Sequence, residues 1–342
     1  MNIKKLSAAV IAAAVLTVAA PMTGVQPDLL SVTASAASPD PVQTEYKTGD
    51  LFGVAMNPET GETFGEATDV MDAHQISTKE FGNGAIYECR VLDDGTIKVA
   101  TDCMGNDFIH QGRKITIPSE ICGYTVTEIG GISEDSHCDG GFSSITIPDT
   151  VKTINQSAFA FNFYLEEINF GANSQLKLID MWAFQDCRSL KSVSIPASVE
   201  TIATGAFGNT DEDFSSKLIG KDFTNVYSLA SINFADNSKL KLIDQWAFQR
   251  QTALKSIVLP DSLEKIGGGA FINCSGLTEI TIPANVNEIG SSAFSCTGSN
   301  IMNISKIEVD PDNKNYKSVD GILFSKDGKT IVRYPAAKNG SY

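Results

Sequence analysis

Histidine and cysteine are the residue types with which this sequence would have to build a metal site or a nucleophilic catalytic centre. Zinc sites join them in C-x-x-C or H-x₃₋₅-H spacings, and the sequence contains neither spacing. Residues of the right types do fall in one stretch, at Cys103, His110, Cys122, His137 and Cys138. Without a shared spacing they indicate no common site, so we predict no metal site and no cofactor.

Other enzymatic chemistries also lack their signatures. No G-x-S-x-G elbow, P-loop or dinucleotide fingerprint is present. His137 and Cys138 are neighbours in sequence, which does not orient one toward the other. The segment from Asp310 to Lys314 begins like a calcium loop, but its fifth residue is lysine and no glycine follows. We therefore predict no catalytic residue and no enzymatic activity.

The charge balance narrows the class of partner. The 342 residues include 41 acidic and 26 Lys or Arg side chains, which gives a net charge of −15. Such a chain repels phosphate backbones and anionic lipid heads. We predict no nucleic-acid partner.

The N-terminus has the organisation of a signal peptide. A basic segment at residues 1–5 precedes an apolar run at residues 6–20, and Ala34-Ser35-Ala36 is a small-x-small cleavage site. The apolar run is about 15 residues long, and a membrane span needs about 20. We predict cleavage after Ala36 and a secreted, extracellular chain without a membrane span. An N-terminal anchor, or another association with the cell surface, is the alternative.

An internal repeat organises most of the remaining chain. The dipeptide Ala-Phe recurs at steps of 25, 23, 41, 23 and 23 residues, and an Ile lies five residues before each Phe. The repeated phenylalanines are Phe159, Phe184, Phe207, Phe248, Phe271 and Phe294. The 41-residue step contains about 16 extra residues around 211–227, which we interpret as a loop extruded from the stack.

A second apolar cluster gives the repeat its strand. Clusters such as Ile145-Thr146-Ile147 and Ile257-Val258-Leu259 complete the unit L-x-x-I-x-I-P-x-x-V-x-x-I-x-x-x-A-F. L-x-x-I-x-I alternates with period two, so its isoleucines face inward from a strand. One coil cannot bury these residues alone, whereas stacked coils can. The sequence predicts an α/β to mainly-β solenoid whose strands form one parallel sheet.

This unit resembles the BspA-like leucine-rich repeat family of bacterial secreted and surface proteins. The resemblance covers roughly residues 115–342 and implies a right-handed leucine-rich repeat solenoid. The stretch from Tyr87 to Val99 resembles an N-terminal β-hairpin cap turning at Asp94-Gly95, and residues 315–324 resemble a hairpin insert of the family. Because the chain stops at Tyr342, it is either a fragment or ends on a hairpin cap.

These observations divide the chain into five segments. They are a signal peptide at 1–36, a linker or small subdomain at 37–83, a hairpin and capping coil at 84–130, leucine-rich repeats at 131–309 and a C-terminal hairpin unit at 310–342.

The cysteines are odd in number, so a fully paired disulfide scaffold is excluded. A disulfide of undetermined connectivity is expected among Cys89, Cys103, Cys122 and Cys138 if the protein is exported. Cys187, Cys274 and Cys296 follow the repeat Phe by two or three residues, and we interpret them as buried free thiols.

The outward positions of the longer strands form two ladders of small polar residues. We call them the ladder face. Its candidate ligand-binding residues are Ser144, Thr146, Glu167, Asn169, Ser192, Ser194, Ser231, Asn233, Ser256, Glu279 and Thr281, with Val258, Lys306 and Glu308 in the same rows. Such a face is expected to be flat and rich in donors and acceptors. It is either a docking face for a protein or glycan, or a solvated sheet.

Trp182 and Trp246 occupy the slot before Ala-Phe, where sister coils have Gly or Ser. A slot that accepts glycine is not deep core, so we expect both rings to be partly exposed. They could stack on sugars of a polysaccharide, or each could cover the core edge of a neighbouring coil.

The leading functional hypothesis is a secreted, non-catalytic interaction protein. The resemblance implies adhesion to proteins of a host or of neighbouring cells. The alternative is a carbohydrate-binding accessory protein that uses Trp182 and Trp246.

Overall fold

The structure is a computed structural model that describes residues 46–57, 60–68, 86–100, 113–131, 142–210, 229–297 and 302–338. The predicted signal peptide, all three histidines, Cys103, Cys138 and the predicted loop at 211–227 lie outside these ranges. Within them the chain forms strands and turns and no helix. The mainly-β solenoid expected from the repeat is therefore confirmed, with about six turns.

The N-terminal strands precede the stacked coils. They are β1 (Leu51–Met56), β2 (Thr63–Thr68), β3 (Ile86–Val91) and β4 (Ile97–Val99). β1 pairs antiparallel with β2 and β3, and β3 pairs antiparallel with β4 around Gly95. β4 then pairs parallel with β7 (Tyr124–Ile129), which also pairs antiparallel with β6 (Glu120–Ile121). That these strands cap the solenoid stays a prediction.

One continuous parallel sheet runs along the coils from β7. Its strands are short and each ends on the repeat Ile: β9 (Thr153–Ile154), β11 (Leu178–Ile179), β13 (Thr201–Ile202), β15 (Leu242–Ile243), β16 (Lys265–Ile266) and β18 (Glu288–Ile289). The isoleucines pair in register from each coil to the next. All but Ile289 are fully buried.

The longer L-x-x-I-x-I strands form separate pieces, which corrects the prediction of one parallel sheet. The pieces are β5 (Arg113–Thr116) with β8 (Phe142–Ile147) and β10 (Glu167–Phe170), then β12 (Ser192–Ile195) with β14 (Ser231–Phe234), then β17 (Glu279–Ile282) with β19 (Lys306–Val309). Residues 257–259, expected to be a strand, form none. Ile257 and Leu259 still face the core at 7% and 6% exposure.

Two of the breaks have a common physical setting. The breaks after β10 and after β14 each follow a coil that is two residues longer than its neighbours, with the extra residues near Asn173 and near Asn237, whereas the break between residues 257–259 and β17 follows a coil of ordinary length. Asn237 adopts a left-handed conformation with φ of 58°. We infer that the wider turns move the ends of β10 and β14 away from the following coil, so that inward packing persists while inter-strand pairing does not.

The three remaining strands are near the end of the chain. They are β20 (Tyr316–Val319), β21 (Ile322–Ser325) and β22 (Ile331–Arg333), joined by antiparallel pairing in that order.

A stack of phenylalanine rings runs through the core. The repeat phenylalanines from Phe159 to Phe294 stack in order with ring centroids 5.1, 5.1, 5.6, 5.6 and 5.9 Å apart and interplanar angles of 16° or less. Phe142 meets the first ring edge-on at 6.2 Å. The backbone reinforces this stack, because the N–H of each Phe donates to the Ala carbonyl of the next coil at 2.7–2.9 Å.

The ring stack leads to a test of stability. Replacing Phe207 with Ala removes a ring that contacts neighbours on both sides, so the free energy of unfolding should fall by about 3–5 kcal/mol. Phe163→Ala, at a half-buried ring beside the stack, should cost clearly less. Urea unfolding followed by circular dichroism measures both values. Equal losses in the two variants would contradict the stack as the main source of core stability.

Candidate functional site

The residue types that could do chemistry do not converge in the part of the chain that the structure describes. There, no group of three or more His, Cys, Asp or Glu side chains is placed to hold a metal ion. The Asp310 loop is organised by hydrogen bonds within the protein. Asp310 accepts from the backbone N–H of Asp312 at 2.8 Å, and buried Asn313 donates to the carbonyls of Pro283 and Val286.

Two cysteines of the repeat are buried in equivalent positions. Cys187 and Cys274 are 7% and 0% exposed, and their thiols donate to the carbonyls of Phe159 and Phe248 at 3.2 and 3.1 Å. Burial raises the pKa of the Cys274 thiol to about 12. Both are free thiols with a packing role, and Cys296 is half-buried.

The cysteines expected to take part in a disulfide differ in environment. Cys89 and Cys122 are free thiols. Cys89 is fully buried, and burial raises its pKa, with Cys122 as the next contribution. Cys122 lies at the exposed turn between β6 and β7. Cys103 and Cys138 lie outside the described residues, so the disulfide hypothesis stays a prediction.

The ladder face has the register that the repeat implies within each paired piece. Side chains on one face of parallel strands meet their in-register partners. The pairs are Glu167 with Ser144, Asn169 with Thr146, Ser192 with Ser231, Ser194 with Asn233, Glu279 with Lys306 and Thr281 with Glu308.

The face is neither flat nor uniformly open. Ser144 is only 5% exposed, and its hydroxyl lies within 3.3 Å of both Glu167 and Asn169. Ser192, Ser194, Asn233, Ser256 and Thr281 are exposed, and Val258 is 84% exposed.

A groove interrupts the face where pairing ends after β14. It has a volume of about 630 Å³ and lies between residues 230–238 and residues 256–262. We call it the Phe234 groove because half-buried Phe234 lines it together with Val258. It adds a recess lined by both polar and apolar side chains, which the repeat pattern did not predict.

Trp182 and Trp246 are exposed by 37% and 45%. Both have left-handed backbones, with φ of 58° and 55°. Each indole packs on the glycine of the next coil, because a Cβ at Gly205 or Gly269 would lie 2.5 or 2.7 Å from the ring Cδ1. This contact agrees with the expectation that each Trp covers part of a neighbouring coil, and both side chains nevertheless remain partly exposed.

Trp246 borders a cleft. The cleft has a volume of about 440 Å³, and we call it the Trp246 cleft. Its lining includes Asp244, Trp246, Gly268, Glu288, Gly290 and Ser291. Glu288 pairs with Lys265 at 2.8 Å at its rim.

A buried ion pair lies where the coil meets residue 210, just before the predicted loop. Asp186 and Arg188 side chains are 0% and 5% exposed, and Arg188 donates to Asp186 from both Nε and Nη2. Asp186 also accepts from the backbone N–H and hydroxyl of Thr210. In the sister coil Asn273 likewise accepts from the backbone N–H of Thr297, but its Nδ2 donates to the Thr297 hydroxyl.

The repeat also identifies the family. The family model described as the BspA type leucine rich repeat region matches residues 130–215 and 215–310 in six copies. This match spans more than half of the 342 residues. The chain belongs to the BspA-type leucine-rich repeat family.

Solved structures of other leucine-rich repeat proteins are similar to this member of the BspA-type family. The pneumococcal vaccine antigen PcpA is 28% identical with a TM-score of 0.49, over 74% of this chain and 56% of that one. A leucine rich cell surface protein from Faecalibacterium prausnitzii A2-165 is 25% identical with a TM-score of 0.46, over 73% and 60%. This chain thus spans less than two thirds of either protein. No curated protein matches it.

Cysteine burial leads to a labelling prediction. In the folded protein, reduced beforehand so that any disulfide to Cys122 is open, iodoacetamide should modify Cys122 and leave Cys187 and Cys274 unmodified, because the last two are enclosed by the core. In denaturant all three should be modified. Peptide mass mapping measures each site separately. Labelling of Cys274 at the rate of Cys122 would contradict the burial described above.

The ion pair leads to a second prediction, for which the sister coil supplies the control. Asp186→Asn should lower the free energy of unfolding by about 3–5 kcal/mol, because buried Arg188 then lacks its carboxylate. Adding Arg188→Ser recreates the Asn-Cys-Ser sequence of residues 273–275 and should recover most of the loss. Urea unfolding of both variants measures this, and an unrecovered double variant would refute the equivalence of the two coils.

Proposed function

We propose that this chain is a secreted, non-catalytic binding protein that adheres to proteins of a host or of neighbouring cells through its ladder face. Family membership supports a binding role, because the repeat builds a scaffold whose outward positions are free to vary. The observation that carries the proposal is the combination, on one face, of in-register polar side chains with a groove lined by half-buried Phe234 and exposed Val258.

The face combines hydrogen-bonding groups with exposed apolar side chains. Fully buried interface centres are more apolar than their rims, and the rim groups form hydrogen bonds. On the ladder face Phe234 and Val258 supply apolar surface in and beside the Phe234 groove. Ser231, Asn233 and Ser256 supply hydroxyl and amide groups around that groove.

The proposed location is extracellular, with association to the cell surface as the alternative. The signal-peptide pattern of residues 1–36 supports export. In the part of the chain that the structure describes, no helix is long and apolar enough to cross a membrane.

The test places charge at the centre of the face. Ser194 and Asn233 are exposed and adjacent in register. The double variant Ser194→Arg/Asn233→Arg should weaken binding to immobilised purified extracellular-matrix proteins or to intact bacterial cells by about tenfold or more, because the new side chains obstruct the interface. Surface plasmon resonance measures the first arm and cell pull-down the second.

Gln156→Arg is the matched control. Gln156 is exposed on the turn before the Ala-Phe position, away from the longer strands. Its replacement by Arg should leave binding unchanged. No binding of the wild-type chain in either arm would contradict the proposal. Equal loss in the control and the double variant would show that the ladder face is not the binding surface.

A further inference from the structure

We propose that the Trp246 cleft is a binding site for one neutral pyranose ring of a glycan. The inference does not depend on protein binding at the ladder face, because the cleft is built from the turns that precede Ala-Phe. The proposal concerns Trp246 and does not extend to Trp182, although both occupy the same position of the repeat.

The backbone does not require a tryptophan at position 246. The slot has a positive φ in every coil, from Ser157 at 55° to Ser292 at 60°, and glycine occupies it at Gly205 and Gly269. A bulky side chain in this conformation costs about 1–2 kcal/mol relative to the right-handed region, whereas glycine adopts it freely. The indole is therefore placed against the local preference, and such strain accumulates at functional positions.

The cleft opens because glycines replace larger residues in the coils that follow. At the constant offset of 64 residues, Trp182 is equivalent to Trp246 and Thr204 to Gly268. In the second coil after each Trp, the equivalent residues are Asp244 and Gln245 for Trp182, and Gly290 and Ser291 for Trp246. The side chains of Thr204 and Asp244 thus have no counterpart at the equivalent glycines, Gly268 and Gly290, which line the Trp246 cleft.

These glycines have different roles. A Cβ at Gly267 would lie 2.5 Å from the backbone of Asp244, and one at Gly290 would lie 2.4 Å from the backbone nitrogen of Gly268, so both permit close packing of coils. At Gly268 the nearest atom would be the Ser291 carbonyl oxygen at 3.3 Å, and its φ is not left-handed. The fold therefore tolerates a side chain at position 268, and its absence leaves the cleft open.

The lining matches a sugar ring in shape and chemistry. The pyrrole edge of Trp246 contacts Gly269, which leaves the six-membered ring as the part farthest from that glycine. A pyranose with equatorial substituents has an apolar face of C–H groups that stacks on such a ring and a rim of hydroxyl groups. Gln245, Ser291 and Ser292 are exposed on the lining and offer amide and hydroxyl partners to that rim. The volume of about 440 Å³ lies within the range of ligand sites, which is about 300–1,000 Å³.

The charges favour a neutral sugar. Glu288 is paired with Lys265, and Asp244 accepts from the hydroxyl of Thr204 at 2.9 Å. The hydrogen bond to Glu288 raises the pKa of Lys265. Anionic sugars would meet Asp244 and Glu288 in a chain of net charge −15.

The protein contains a built-in probe, because Trp182 and Trp246 are its two tryptophans. In a Trp182→Phe background, fluorescence reports on Trp246 alone. Titration with cellobiose or N,N′-diacetylchitobiose should give a saturable change with a dissociation constant on the order of 1 mM, the affinity expected of a small ligand in an open site. Adding Gly268→Thr, which recreates the Trp182 surroundings, should weaken binding about tenfold or more.

Trp246→Phe/Gly268→Thr, with Trp182 retained, is the matched control for the reporter, and its fluorescence should not respond to either disaccharide. Urea unfolding of each variant verifies that the fold is kept. No saturable change at concentrations about tenfold above the expected constant would overturn the proposal. Unchanged binding in the folded Gly268→Thr variant would also overturn it. A response to N-acetyl-arginine amide alone would overturn it too, because it would assign the cleft to a cationic side chain of a protein partner.

Discussion

The spacing between successive coils is the constraint on which the rest of the structure depends. Phenylalanine rings 5.1–5.9 Å apart and backbone bonds of 2.7–2.9 Å between Phe N–H and Ala carbonyl groups set this spacing together. Parallel strands require a similar distance of about 4.8 Å. Each outward slot therefore recurs at nearly the same interval, and equivalent residues of adjacent coils necessarily become neighbours.

Inward and outward positions respond differently to a change in that spacing. Hydrophobic packing is non-directional, so a small separation between coils still leaves an inward side chain buried. Inter-strand hydrogen bonds depend steeply on distance and angle. This difference explains how Ile257 and Leu259 remain core residues in a segment that forms no strand. The repeat pattern predicts which residues face the core, whereas it does not predict where the longer strands pair.

The candidate sites show the same division between what a pattern can and cannot predict. The ladder rows follow from period-two alternation, and their in-register pairs could be written down from the sequence. The Phe234 groove could not, because it results from lost pairing between two coils. The Trp246 cleft lies between these cases. The offset of 64 aligns Trp182 with Trp246, but the decisive difference is Thr204 against Gly268 in the coil that follows. A slot-by-slot comparison of neighbouring coils contains that signal, whereas the repeat consensus averages it away.

The charged residues along the short-strand sheet determine which charge a ligand of the Trp246 cleft can have. Lys177, Lys241 and Lys265 each pair with a glutamate of the next coil, at Glu200, Glu264 and Glu288. Exposed pairs of this kind contribute about 0–1 kcal/mol each, so they do little for stability. Their larger effect is to cancel charge locally along the short-strand sheet, although the chain as a whole is acidic. At Trp246 the lysine offsets only one of two carboxylates, because Asp244 also lines the cleft. An anion is therefore opposed there and an uncharged ligand is not, since its hydroxyl groups can donate to the carboxylates and its apolar face can cover the indole.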